Sequence, residues 1–108
     1  MSNSISGDGT MSATASGDFT FSGQLSDATG ISATGTYTPA TAAWSSQNTA
    51  VTCPAGTAPT GQEQFTGYCG PDTFNITGTT SQAVITGQIH PGIPNKVPIS
   101  GTITWGTA

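Results

Sequence analysis

Few side chains in this chain can do chemistry. His90 is the lone histidine and Lys96 the lone basic side chain; the acids are Asp8, Asp18, Asp27, Asp72 and Glu63. A catalytic base must be held beside the proton it takes. Ser and Asp are present, so a Ser/His/Asp arrangement can be drawn on paper, but no Gly-x-Ser-x-Gly elbow exists. His90 precedes Pro91 at the end of a predicted strand and reads as a solvated loop residue. Asp8, Asp18 and Asp27 lie in or near Gly-containing turns. Such turns favour Asp through its own backbone hydrogen bonds, whereas a Ca²⁺ site would need several of them to cluster. Paired acids of a glycosidase have no motif here. The reading is of a protein that is not an enzyme and carries no metal or cofactor.

The two cysteines, Cys53 and Cys69, form no Cys-x-x-Cys pair and have a single histidine for company, so they do not suggest a metal site. In a short chain of exported character they are expected to form a disulfide. A closed loop of about 15 residues is worth roughly 3 kcal/mol in the chain-entropy view. A bridge requires Cα atoms within about 7 Å. The Cys53–Cys69 bond would therefore close residues 53–69 as an excursion at its base, with Phe65 and Tyr68 on a flap.

Aromatic rings beside amides and hydroxyls serve sugar-binding proteins as stacking platforms. Trp105 is in phase with Ile99 and Ile103 and is expected in the core. Trp44 is less constrained, so Trp44, Tyr68 and Phe65 are the candidate binding residues. Asn75-Ile76-Thr77 fits the N-glycosylation pattern, which has meaning only in a eukaryotic source.

The elements that would position these residues are strands. A large apolar residue, then Ser or Thr, then Gly recurs as Ile5-Ser6-Gly7, Phe21-Ser22-Gly23, Phe65-Thr66-Gly67, Ile76-Thr77-Gly78, Ile85-Thr86-Gly87 and Ile99-Ser100-Gly101. The surroundings alternate with period two, as in Phe19, Phe21, Gly23 and Leu25, or Val97, Ile99, Gly101, Ile103 and Trp105. The glycine thus falls on the apolar face. There it marks a bend, or a place where a large neighbour covers bare backbone.

Strands are predicted over 3–14, 18–26, 31–38, 41–52, 73–80, 83–90 and 97–106, with a short one around Glu63, Phe65 and Tyr68. Ser16-Gly17-Asp18 marks a hairpin turn, and the loop 26–30 calls for Gly30 in a left-handed conformation. No segment shows the helical period. Residues 18–46 and 73–107 resemble each other: Phe19 to Ala28 matches Phe74 to Ala83, Gly35 to Pro39 matches Gly87 to Pro91, and Thr41 to Trp44 matches Thr102 to Trp105. Such matches indicate a three-stranded unit used twice, or chance likeness in a Thr/Ser/Gly-rich background. The N-terminal strand stands outside both units. Its small residues suit an edge that pairs within the chain or with a neighbouring subunit.

The expected fold is a single all-β domain over residues 1–108, an antiparallel β-sandwich or small barrel of about seven or eight strands. Charged residues are 6% of the chain, against about 25% in typical soluble domains. Nucleic-acid binding, which needs clustered Lys and Arg, is excluded on that ground, and an anionic membrane surface is disfavoured. No apolar run reaches the length of a transmembrane helix. Met1-Ser2-Asn3-Ser4 lacks the basic and apolar regions of a signal peptide, which a virion protein would not need. The composition fits an extracellular, cell-surface or virion setting. The leading functional expectation is a non-enzymatic structural or assembly module that forms homo-oligomers or joins other structural proteins. The alternative is a carbohydrate-binding module or lectin.

Overall fold

Alternation decides which way each wall residue faces. The computed structural model describes residues 4–54, 56, 59–90 and 92–106. It contains strands β1 Ile5–Ala13, β2 Asp18–Leu25, β3 Gly30–Thr38, β4 Trp44–Cys53, β5 Gly61–Cys69, β6 Thr73–Gly78, β7 Val84–Gln88 and β8 Val97–Gly106. Among the described residues there is no helix, and hence none long and apolar enough to cross a membrane. The strands are antiparallel and close into a barrel in the order β1-β2-β3-β8-β5-β6-β7-β4.

That order contains two Greek keys. In the first, β4 returns to lie beside β1, giving 4-1-2-3; in the second, β8 returns beside β5, giving 8-5-6-7. Register carries the likeness down to residues. Phe19 faces Gly35 across β2 and β3, and Phe74 faces Gly87 across β6 and β7. Ala13 faces Phe19, and Cys69 faces Phe74. Each key has four strands, and β1 stands in the first where β5 stands in the second. The Trp44–Trp105 match does not survive. Trp44 opens β4 opposite Ala13, whereas Trp105 stands near the end of β8 opposite Gly61.

An eight-stranded barrel has an interior just wide enough to fill with side chains. Phe, Trp and Ile point inward here, so other inward positions must be empty. Glycine supplies the space: a Cβ on Gly35 would lie 2.7 Å from the Phe19 ring, and one on Gly87 would lie 3.1 Å from Phe74. The rings meet over these gaps. Phe19 contacts Phe65 edge-on, with centroids 5.5 Å apart, and Trp44 contacts Phe74 at 4.8 Å. Trp105 is buried, as its phase requires.

Four expectations need correction. Residues 61–69 are no flap: β5 is a full wall strand, paired with β8 along its length and with β6 at its C-terminal half. Cys53 and Cys69 are free, buried thiols. They sit on β4 and β5, which β6 and β7 separate, so a bridge would need the wall to fold inward. In the loop after β2, Ala28 takes the positive φ of 71° and Gly30 begins β3. Asp27 Oδ1 accepts the Thr29 N–H at 3.0 Å there and fixes the turn. β1 has no free edge, since β2 and β4 occupy both sides. The expectations that touch Met1–Asn3, Ala55, Thr57, Ala58, Pro91, Thr107 and Ala108 lie outside the described residues.

Outward positions carry Ser, Thr, Gln and Asn. Thr20 pairs with Thr34, and Thr34 with Thr104, in a row across β2, β3 and β8. Ser12 and Thr20 hydroxyls meet at 3.2 Å. This polar-out, apolar-in arrangement is the reverse of a transmembrane barrel.

Candidate functional site

The sequence candidates do not come together. Trp44 and Phe65 are buried, at 3% and 1% exposure, so neither ring is open to a ligand. Trp44 points inward because it begins β4 in phase with Ser46. Phe65 points inward from β5 toward Phe19 across the lumen. Tyr68 alone keeps part of its ring on the outer surface, where Lys96 Nζ stands 4.3 Å from the ring centroid. His90 is exposed, and its backbone forms an isolated bridge with Ser45. Asn75 faces outward on β6, with its side-chain oxygen accepting from the Thr77 hydroxyl at 3.1 Å.

Around Tyr68 the outer wall forms a shallow groove of about 540 Å³ across β5, β6, β7 and β4. Asn48, Thr73, Thr86 and Gln88 line it, with Ala50 and Gly87 as its floor. Its far side is shaped by a bulge. Gly9 pairs with Thr49 and Met11 with Ser46, so β4 takes three steps where β1 takes two. Gln47 and Asn48 consequently both face solvent, breaking the alternation of β4. Bulges re-aim side chains in this way. A second depression of about 470 Å³ lies beyond the bulge, lined by Asp8, Gly9, Gln47 and Thr49, and shares Asn48 and Ala50 with the first.

The two thiols offer no reactive centre. Burial pushes Cys53 up, and pushes Cys69 up to about 11. The Trp44 indole N–H makes no hydrogen bond by geometry, yet it lies close enough to the Cys69 sulfur to oppose part of that rise. At pH 8 the thiolate fraction of Cys69 is on the order of one in a thousand. Ellman's reagent is therefore expected to titrate both thiols in denaturant and neither promptly in the native protein. A fast native phase would place a sulfur outside the core. Among the described residues no group of three or more His, Cys, Asp or Glu is placed to hold a metal ion. No family model, curated protein or solved structure matches the chain.

Sequence reasoning missed the most highly connected polar side chain. Glu63 lies on the inward parity of β5, with Phe65, Gly67 and Cys69. Its Oε2 accepts from Trp105 Nε1 at 2.6 Å and the Ser81 hydroxyl at 2.6 Å; its Oε1 accepts the backbone N–H groups of Thr80 at 2.8 Å and Ser81 at 3.0 Å. The carboxylate occupies the space left by Gly78, within 2.6–2.7 Å of where a Cβ would lie. Desolvation raises its pKa, but the donors of Ser81, Thr80 and Trp105 together outweigh it and hold the carboxyl below its ordinary value of 4.5. The node ties the β6–β7 turn to β5 and β8 and closes one end of the barrel. Its signal was an acid at core parity, which needs partners to be tolerated.

Proposed function

We propose that the protein is a non-enzymatic structural or assembly module of an extracellular fibre, cell surface or virus particle. The observation that supports this most is the character of the outer surface. One lysine and five acids are the only charged side chains of the 108 residues, and rows of Ser and Thr cover the strands between them. The cores of protein interfaces are depleted of charge, because a buried charge costs far more than a hydroxyl that finds a partner. Most of this surface already meets that condition. Strand closure adds rigidity and leaves copies to meet through side-chain faces rather than free edges.

Assembly is expected as regular, large species in light scattering and electron microscopy as concentration rises. Thr34→Lys with Thr104→Lys, which places like charges on paired outward positions, is expected to disperse species built on that wall. A strictly monomeric 10.7 kDa particle at every concentration would sink the proposal.

A second reading, a carbohydrate-binding module or lectin, is favoured by the groove beside Tyr68. Amides and hydroxyls next to a half-buried aromatic ring suit a sugar better than a charged or apolar ligand.

A further inference from the structure

We infer that the outer groove from Tyr68 to the bulge of β4 is a binding site for an uncharged oligosaccharide. The inference rests on the second reading above, and gives that reading its site and ligand class.

Three observations carry it. The first is the bulge. A regular β4 would turn one of Gln47 and Asn48 inward; the inserted residue turns both outward. Two amides side by side supply donors and acceptors together, which is what neighbouring sugar hydroxyls need.

The second is the lining. Asn48, Thr73, Thr86 and Gln88 are all neutral, and each can both donate and accept. An apolar ligand would strip water from these groups without replacing their hydrogen bonds. A polyanion would meet a chain of net charge −4 with a single cation. Asp8 in the adjoining depression would also repel it.

The third is Tyr68. Its ring is the only large aromatic face in the groove's outer lining besides the rim of Phe74, and it lies at the end opposite the bulge. Lys96 covers that ring in the free protein. A sugar ring takes the place of the ammonium, presenting its C–H face to the aromatic surface, and Lys96 then donates to a hydroxyl from the rim. Ala50 keeps the passage open between the two depressions. The path crosses four neighbouring strands, roughly 15 Å at the usual strand spacing of about 4.8 Å, which favours a chain of sugars over a single one.

The test is an amide-resolved NMR titration of the full chain with cellohexaose, maltohexaose, mannohexaose and chitohexaose, and with hexagalacturonate as the charged counterpart. Saturable shifts are expected at Gln47, Asn48, Tyr68 and Gln88 with at least one neutral hexasaccharide. Tyr68→Ala and Asn48→Ala should each weaken binding about tenfold, the loss of one good contact. Ser22→Ala, on the opposite wall, should leave affinity unchanged; all three variants should keep the wild-type amide pattern elsewhere. Binding that ignores both groove substitutions would overturn the groove and leave the carbohydrate reading standing. Binding of hexagalacturonate in preference to the neutral sugars would overturn the ligand class. No shifts with any of the sugars would overturn the site and the carbohydrate reading together.

Discussion

Replacing Gly101 with alanine is expected to destabilise the barrel by about 3 kcal/mol or more, at the upper end of what overpacking costs. Gly101 sits in β8 between Tyr37 of β3 and Phe65 of β5. A Cβ there would strike the Thr36 carbonyl oxygen and come within 2.9 Å of the Tyr37 Cα. Both obstacles are backbone, so no rotamer change relieves them. The β3–β8 ladder, one of the two seams joining the Greek keys, would have to part. Against a total stability of about 5–15 kcal/mol this is a large fraction. The melting temperature should fall by roughly 12–24 °C, at about 4–8 °C per kcal/mol for a domain of this size. Gly106→Ala is the control. Among the described residues the only atom near its added Cβ is the Ser32 hydroxyl oxygen at 3.3 Å, a side-chain atom that can rotate. Thermal unfolding of both variants decides the matter: a Gly101→Ala protein as stable as Gly106→Ala would mean that β8 does not approach β3 as closely as described.

The contrast between those glycines shows what alternation conveys and where it stops. The parity of Gly101 with Ile99 and Ile103 is enough to place it inward on a strand, and strand positions follow from such runs throughout the chain. Alternation is local, however, and does not say which strands are neighbours. β8 lies beside β3 and β5 because the chain closes on itself, and nothing in residues 97–106 encodes those partners. The letters Thr-x-x-Trp recur at Trp44 and Trp105, but register puts the two rings at different ends. The Phe and Gly positions do correspond in place, because Phe19–Gly35 and Phe74–Gly87 complement each other physically across a strand pair. β5 is expected only as a short strand on a flap, for another reason. The expected bond between Cys53 and Cys69 lifts its residues off the wall, although Glu63, Phe65, Gly67 and Cys69 alternate as well as any other run. Of the candidate site, Tyr68 is among the aromatics the sequence singles out, although there it is expected on a flap and not on a wall strand. The bulge that turns out Gln47 and Asn48 was not, since it depends on pairing with β1.

Removing the Glu63 carboxylate should cost about as much as filling the space it occupies, and doing both should cost little more than either alone. In Glu63→Ala, the Trp105 indole, the Ser81 hydroxyl and two backbone N–H groups lose their acceptor. Hydrogen bonds to a charged group are worth about 1.5–3 kcal/mol each, but these share one partly solvated acceptor, so a total of about 2–3 kcal/mol is expected. In Gly78→Ala the three atoms nearest the added methyl all belong to Glu63, at 2.6–2.7 Å. The carboxylate must leave, and the same donors are orphaned by a different route. Once Glu63 is alanine, the three atoms nearest that methyl are gone. The double mutant should therefore lie near either single one, with a coupling of about 2 kcal/mol, within the usual range for residues in contact. Urea unfolding of the four proteins measures this directly. Additive losses would mean that Gly78 matters for its backbone and not for the space it leaves. Acid supplies an independent check. The folded pKa of Glu63 lies below its ordinary 4.5, so its contribution is complete above that value and disappears as pH falls through the folded pKa. The gap in stability between the wild type and Glu63→Ala should be constant from neutral pH down to about 5 and narrow below about 4.5. In Gly78→Ala, where the carboxylate is already displaced, lowering the pH should remove less.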